Sequence, residues 1–515
     1  MPLAINDLTD PAHLVTDPDA VKETTRQYFS KLYHHDPPPD IPKPWMTTRS
    51  VKEVCERVHA DPFQWPQPAS IAAFRAMLRK GNARPSPGPD EWEKWCIKSL
   101  SDNTLSLVLD LHNYMVMHAH FPVATQPGVQ MHDLMSFLAG LKCWSSRHHQ
   151  PIYTLKRDQM KGFDYLSPQG FYDAITAYGL PQVIIDLDRA SQTDTRCFIR
   201  TAHGTTEPII VTGVTKQGGS LSPVKSTYTT SLGHRYLNDI ASQDPDTVIV
   251  STSSAERGDP HLPEDHTHLS IVMAEATDDS YIFTKTLKSL RNNTLHMERF
   301  QFAYGWLTQW TKTIAYLLGT TGVQPPTLSF PSIMNLPGVD PLTVTEHTVP
   351  LVLNSLDFLR TNVDDPTAWF EELREYIDTF TFPTLIGRPP ITLLRKIISQ
   401  SVISRCRALL SLQPVKLADA EILDNCLMTK VHAVLGLPFR FNTHIAMLPI
   451  ALHGMEFPSI SRINSAAAVK GLARDLNHHV PAYRNMVRVM MADWTCDKNG
   501  CVYPLDGTGL SKDLS

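Results

Sequence analysis

No uninterrupted apolar run in the 515-residue chain reaches the roughly 18 residues of a membrane-spanning helix, so none is expected. Met1 to Asp10 lacks a basic stretch followed by an apolar core, so a secretory signal is not expected either. The eight cysteines are scattered, which fits free thiols in a reducing, intracellular compartment, nuclear or cytoplasmic. There is no internal repeat. Nor is there a net basic charge: 47 Lys and Arg face 52 Asp and Glu, a formal charge of −5. That counts against a uniformly basic nucleic-acid binder, although charge can be local. What is present is 42% hydrophobic residues, which excludes a disordered chain and allows a large core.

The most informative stretch is Ala274-Glu275-Ala276-Thr277-Asp278-Asp279-Ser280-Tyr281-Ile282-Phe283. Leu269, Ile271 and Met273 alternate before it, and Tyr281 and Phe283 alternate after it. Period two on both sides of two adjacent acids predicts a hairpin with the acids at its tip. Neighbouring carboxylates repel unless a cation lies between them, and hard oxygen ligands suit Mg²⁺. Alone, the stretch reads more readily as a solvated Asp-rich turn, Asp being a common turn former, so the case for chemistry rests on the rest of the chain.

Elsewhere the pattern predicts helices over Val21–Tyr33, Ser70–Lys80, Val129–Trp144, Pro168–Tyr178 and Gln182–Ser191, and a hairpin around Ala202-His203-Gly204-Thr205. His34 and His35 open a proline-rich break and read as loop residues. Pro151–Leu155 predicts a strand running into Asp158, an acid that would be costly in a buried position unless paired. Gly213–Pro223 is a glycine-rich turn with Lys216 and Gln217 that leads into a helix and could face phosphates. Ala241–His266 reads as a polar surface insertion. A helix is expected over Phe283–Arg299, a strand over Ile314–Leu318 and short strand-like pieces over Pro325–Leu353. Three helices follow at Pro366–Phe380, Ile391–Leu412 and Leu417–Leu435. In the second, Lys396 and Arg407 share a face, with Arg395 and Arg405 nearby, either tracking phosphates or simply solvated. An Ala-rich helix begins near Arg462, and Asn499-Gly500 predicts a hairpin bracketed by Cys496 and Cys501, which without further ligands make no zinc site.

Taken together, these pieces resemble the palm of a reverse transcriptase, particularly that of non-LTR (LINE-type) retrotransposons, over roughly 84–460. The family's first palm motif is an Asp, four residues, an aromatic and a second Asp, and Asp158 and Phe163-Asp164 keep that spacing. Its next motif, a basic residue, Gln-Gly, two residues and Leu-Ser-Pro, is matched by Lys216-Gln217-Gly218-Gly219-Ser220-Leu221-Ser222-Pro223. Its aromatic-Ala-Asp-Asp stands here as Ala276-Thr277-Asp278-Asp279. Its Gly with a Lys seven positions on is matched by Gly305 and Lys312. Ser86-Pro87-Gly88-Pro89-Asp90 is similar to the entry of LINE-type enzymes, with Glu91 in place of a Gly.

The resemblance implies an α+β fold: a right-hand polymerase palm (an antiparallel sheet with packed helices), truncated fingers, a helical thumb and a C-terminal helical region. The implied divisions are an N-terminal helical extension at 1–83, a fingers remnant at 84–155, palm at 156–325, connecting strands at 326–360, thumb at 361–440 and a C-terminal region at 441–515. It implies that Asp158 and Asp278 hold two Mg²⁺ ions, with Mn²⁺ able to substitute, and that Asp279 supports them. Phe163 would select against a 2′-hydroxyl, Gln217 and Gly218 would line the nucleotide and template pocket, and Lys312 would serve the leaving pyrophosphate as an acid. The implied partners are an RNA template, a DNA primer and dNTPs, with no membrane; a protein partner is not inferable.

The chain departs from the family in the fingers. Phe121-Pro122 runs almost at once into Ala124-Thr125-Gln126-Pro127-Gly128-Val129, where the family has a basic strand pair with an Arg-Pro-Ile segment. His148-His149-Gln150-Pro151-Ile152 has no Arg before its Pro. Two readings therefore stand: an RNA-directed DNA polymerase, intact or degenerate, and a catalytically inactive palm-fold nucleic-acid-binding protein. A palm-fold cyclase is disfavoured by the Gln-Gly…Leu-Ser-Pro motif.

Overall fold

The computed structural model describes residues 4–35 (except 7, 9, 11 and 12), 41–60, 70–72, 75, 76, 101, 105, 131–160, 162–192, 196–215, 222–251, 268–276, 279–320, 322–333, 344–358, 361, 362, 368–383, 389–438 and 442–499. The Arg84–Asp90 entry, the Phe121–Val129 junction and most of Ser70–Lys80 lie outside the described residues.

The principal sheet has six strands. Its centre is β1 (Ile152–Asp158). Two further strands, β2 (Val248–Ser251) and β3 (His268–Ile271), form a separate hairpin. The other strands of the principal sheet are β4 (Met273–Ala276), β5 (Asp279–Thr284), β6 (Ile314–Leu318), β7 (Thr327–Ile333) and β8 (Val344–Leu353). The order is β4-β5-β1-β6-β8-β7, antiparallel except between β6 and β8, which are parallel. The sheet is thus mixed where a purely antiparallel one is expected. The parallel pair arises because β8 joins β6 as the second arm of the β7–β8 hairpin. That hairpin is one continuous ladder from Thr327↔Pro350 to Ile333↔Val344, longer than the short pieces its prolines suggest. Pro331 sits on the edge strand, where a missing N–H costs least.

Side chains alternate across the sheet, so its two faces can be read from the register. Leu155, Ile282 and Ala315 pair across β1, β5 and β6 on one face. They join a core formed with α2 (Arg49–Ala60), α4 (Gln169–Ala177), α6 (Ser222–Ala241) and α7 (Leu287–Phe302). Trp45, 1% exposed, wedges into this core, with its ring edge-on to Tyr236, Phe300 and Tyr304 and its Nε1 donating to Tyr304 Oη at 2.8 Å. The region before residue 61 is therefore part of the central core, through a segment that follows α1 (Pro18–Tyr33).

Ile152, Tyr281, Phe283, Tyr316 and Leu318 lie on the opposite face, the face of Asp158. They are covered by α3 (Met131–His148), α13 (Pro481–Asn499) and the β2–β3 hairpin. Gly140 on α3 makes room for Met486 of α13: a Cβ there would stand 2.9 Å from Met486 Cγ. Buried charges fasten this cover. Asp133 on α3 meets Arg474 Nε at 3.1 Å and His478 Nε2 at 3.3 Å, and Asp493 on α13 meets His148 Nε2 at 3.1 Å.

The helical region is built from α8 (Ala368–Thr379), α9 (Ile391–Ile398), α10 (Ser404–Leu412), α11 (Leu417–Leu435) and α12 (Ile460–Leu476), around a second core that includes Leu373, Ile398, Cys406, Leu427 and Val431. A π-helical segment, Ser399–Ile403, joins α9 to α10, so the helix expected over Ile391–Leu412 carries a wide turn in its middle. Asp424 on α11 anchors the start of α12 by accepting from Ser459 Oγ at 2.9 Å and Ser461 N at 3.0 Å.

Three expectations change. The helix expected from Phe283 starts at Leu287, because Phe283 is a buried β5 residue and Thr286 caps the helix by accepting from Ser289 N. The insertion expected at Ala241–His266 contains β2, whose Val248 and Val250 are buried; residues 252–267 lie outside the described ones. The hairpin expected at Cys496–Cys501 is helical through Asn499, since Met486, Val489, Met490 and Asp493 recur at helical spacing and face α3.

Candidate active site

The site forms at the end of β1. Asp158 is the last residue of that strand and Asp279 the first of β5, and the two are directly opposite in the antiparallel register. The β4–β5 hairpin closes on Ala276↔Asp279, with Thr277 and Asp278 between them outside the described residues. Asp158 is 17% exposed in its side chain, and its Oδ2 lies 3.1 Å from Lys312 Nζ, whose side chain is 71% exposed. The structure thus brings Lys312 to Asp158 across more than one hundred and fifty residues of sequence.

The turn that delivers Lys312 is pinned to β1 by the main chain. Gln309 N donates to Asp158 O at 2.8 Å, and Met160 N donates to Leu307 O at 2.9 Å. Lys312 itself ends a single 3-10 turn, Trp310–Lys312, whose Trp310 stacks on His347 and donates Nε1 to Ser332 Oγ at 2.9 Å. Gly305, upstream in the same connection, has φ +78°, and a Cβ there would stand 2.9 Å from the Tyr165 carbonyl oxygen. A side chain at this position would strain the backbone and crowd that carbonyl.

Behind the site, on the other face of β1, Arg157 is 1% exposed. Its Nη2 donates to Glu298 Oε1 at 2.6 Å, to Thr308 Oγ1 at 2.9 Å and to Gln301 Oε1. Thr308 in turn donates to the same Glu298 oxygen at 2.5 Å. Arg157 Nε and Nη1 have no hydrogen-bond partner among the described residues. This buried cluster joins β1, α7 and the Lys312 turn one residue from Asp158. The sequence reading passed over it; the signal was Glu298 and Gln301, two polar side chains on the inward stripe of α7.

Two other buried networks frame the neighbouring helices. Asp188, on α5 (Val183–Gln192), holds Lys225 Nζ at 2.6 Å and accepts from Tyr172 Oη at 2.9 Å. Burial pushes the Lys225 ammonium below its ordinary range, partly offset by Asp188. Asp173 accepts from Lys43 Nζ at 2.7 Å and from Tyr304 Oη at 2.9 Å. Burial, with Asp173 beside it, holds the Tyr304 phenol far above its ordinary value.

The remaining expected residues are placed only in part. Phe163 falls in a helical turn, Gly162–Tyr165, and its side chain lies outside the described ones, as does that of Asp279. Gln217, Gly218 and Asp278 lie outside the described residues. Among the described residues no group of three or more His, Cys, Asp or Glu is gathered to hold a metal. The donor chemistry nonetheless suits a hard cation. A carboxylate with an exposed ammonium as its ion-pair partner stands at a strand end opposite a second acidic position. No helix among the described residues is long and apolar enough to cross a membrane.

No protein-family model matches the chain. No curated protein matches it. Among solved structures it is similar to telomerase from Candida tropicalis with the TWJ fragment of telomeric RNA, at 13% identity and a TM-score of 0.36, over 94% of this chain and 70% of that one. It is also similar to apo telomerase from Candida tropicalis, at 14% identity and a TM-score of 0.31, over 82% of this chain and 66% of that one. For telomerase from Candida albicans with the TWJ fragment the values are 12% and 0.28, over 77% of this chain and 62% of that one. At identities and TM-scores this low the likeness fixes neither fold family nor chemistry.

Proposed function

We propose that the chain is the palm-and-thumb core of a reverse transcriptase of the non-LTR, LINE-type class, adding dNTPs to a primer 3′-hydroxyl along an RNA template. One observation carries the reading: Asp158 stands directly opposite Asp279 across paired strands, with Lys312 on its carboxylate. In this reading 156–325 is the palm, 326–360 the connecting strands and 361–440 the thumb. Asp158 and Asp278 would hold two Mg²⁺ ions, with Mn²⁺ able to substitute, and the ions when bound supply Lewis acidity at the primer hydroxyl and the triphosphate. Asp279 adds negative charge beside them. Lys312, free to leave Asp158 because its side chain is largely in solvent, turns to the leaving pyrophosphate and gives it a proton. Phe163 sits under the sugar of the incoming nucleotide, and Gln217 and Gly218 line the nucleotide and template pocket.

A second reading, a catalytically inactive palm that binds nucleic acid, is favoured by the cover of α3 and α13 on the acid-bearing face and by the absence of the family's basic finger strands from the sequence. Equilibrium binding of dNTP separates the two. An enzyme core binds dNTP in a Mg²⁺-dependent way that Asp158→Ala removes, and extends a primed RNA template slowly for want of its finger clamp. No Mg²⁺-dependent dNTP binding leaves the second reading, and rapid extension would refute the view that the clamp is missing.

A further inference from the structure

Four cations of the helical region converge on one concave space. A cleft of about 690 Å³ is lined by Arg395 and Lys396 of α9, Arg407 of α10 and Arg462 of α12, closed on its far side by Met447, Pro449 and Phe457–Ser459. Its one acidic wall residue, Glu456, is paired with Arg395. Lys396, Arg407 and Arg462 make no ion pair among the described residues and are exposed. Arg405 is not part of the cleft: it turns away to Glu372 at 2.8 Å and lies over the Tyr376 ring. The cations expected to run along one helix face therefore gather from three helices around one open cleft. Glu456 has φ +53° and Ser459 caps α12, so the loop that closes the cleft is tightly set.

Uncompensated like charges this close are unfavourable without a counter-ion, and the space has the size of a small-molecule site. We propose that this cleft binds a terminal phosphate group, a compact multiply charged anion carried either by a free polyphosphate or by the phosphorylated end of a nucleic acid. Guanidinium groups grip such a group through several oxygens at once, and Lys396 adds a point charge. A backbone phosphodiester, with one charge and two ester links, offers fewer oxygens to a concave pocket. Ser399 on the wall supplies a hydroxyl donor. The site is separate from Asp158 and does not depend on the reading of that residue.

The test uses the full chain in buffer without divalent cations. Binding is measured for inorganic pyrophosphate, and for one short DNA oligonucleotide bearing either a 5′-phosphate or a 5′-hydroxyl. Pyrophosphate is expected to bind and to compete with the 5′-phosphorylated oligonucleotide, which binds at least about tenfold more tightly than its 5′-hydroxyl twin. The double variant Lys396→Gln/Arg407→Gln, checked for intact helicity by circular dichroism, is expected to lose at least about tenfold for both. Competition by pyrophosphate alone, or by the oligonucleotide as well, tells which source the site accepts. Equal binding of the two oligonucleotides, lost in the double variant, would overturn the proposal in favour of backbone contact. Pyrophosphate binding that the double variant leaves unchanged would overturn it outright.

Discussion

The two faces of the central sheet share their strands but are closed differently. One face packs against α2, α4, α6 and α7 and receives Trp45 from the N-terminal segment, and even its charges, such as Arg157 with Glu298, are buried in pairs. The other face carries Ile152, Tyr281, Phe283, Tyr316 and Leu318 under α3 and α13, turns polar at Lys156, which pairs with Tyr281, and ends in Asp158 opposite Asp279. The strands obey the same alternation on both faces. Charged groups on the first face hold elements together, whereas Asp158 at the edge of the second is partnered by a lysine mostly in water. A buried pair loses a lot when one partner goes; a pair whose cation stands mostly in water loses less, and that lets the cation give way to a ligand of the carboxylate.

Four substitutions or conditions sharpen this contrast. Trp45→Ala on the closed face should cost about 3–5 kcal/mol, read as a lower urea midpoint, because it empties a site with ring contacts on three sides. A loss within about 0.5 kcal/mol would mean that the N-terminal segment does not complete this core. Met486→Ala under the second face should cost about 2–4 kcal/mol and leave a gap over Gly140 on α3. If it changes nothing in denaturation, α13 does not cover the sheet in solution. Asp158→Asn should cost at most about 1 kcal/mol, since Lys312 is mostly in solvent, yet should abolish Mg²⁺-dependent dNTP binding if the chain is an enzyme core. The smallest effect is with pH. Burial, with Arg299 nearby, holds His296 on α7 below the ordinary imidazole value of 6.5. Below that pH the unfolded chain takes up a proton that the folded one resists, so this group makes stability fall as pH drops through and below 6.5. Comparing urea midpoints at neutral and mildly acid pH for the parent and His296→Gln checks the sign, and a variant that loses stability as steeply as the parent would remove His296 as the cause.

How much of this was legible in the sequence depends on whether the signal was local. The strands on either side of the Asp278-Asp279 turn announce themselves by alternation, and the ladder from Met273↔Ile282 to Ala276↔Asp279 follows from that period. Gly305 was readable as a position in a motif, and its positive φ supplies the physical reason. The pairing of Asp158 with Lys312 was not readable as a contact, because no rule of spacing links positions so far apart; only the order of motifs suggested it. The parallel β6–β8 pair and the cover by α13 were illegible for a related reason. A periodic apolar stripe says that a helix has a buried face but not what buries it, so the same pattern near Cys496 also suited a hairpin. Trp45 was passed over because an aromatic in a proline-bearing segment carries no period at all. Phe163, Gln217, Gly218 and Asp278 stay expectations of the motif pattern.

The placement of α13 bears on how the chain is made. The strands are complete by Leu353, but the helix that seats over Tyr281, Phe283 and Tyr316 begins only at Pro481. At ordinary rates of translation, the interval is on the order of ten seconds. For that time a patch of aromatic side chains lacks its α13 cover on a nascent polypeptide, and only α3 and the β2–β3 hairpin can shield it. Any premature stop before Pro481 would release a chain with that patch permanently uncovered, a natural client for a chaperone and a natural seed for aggregation.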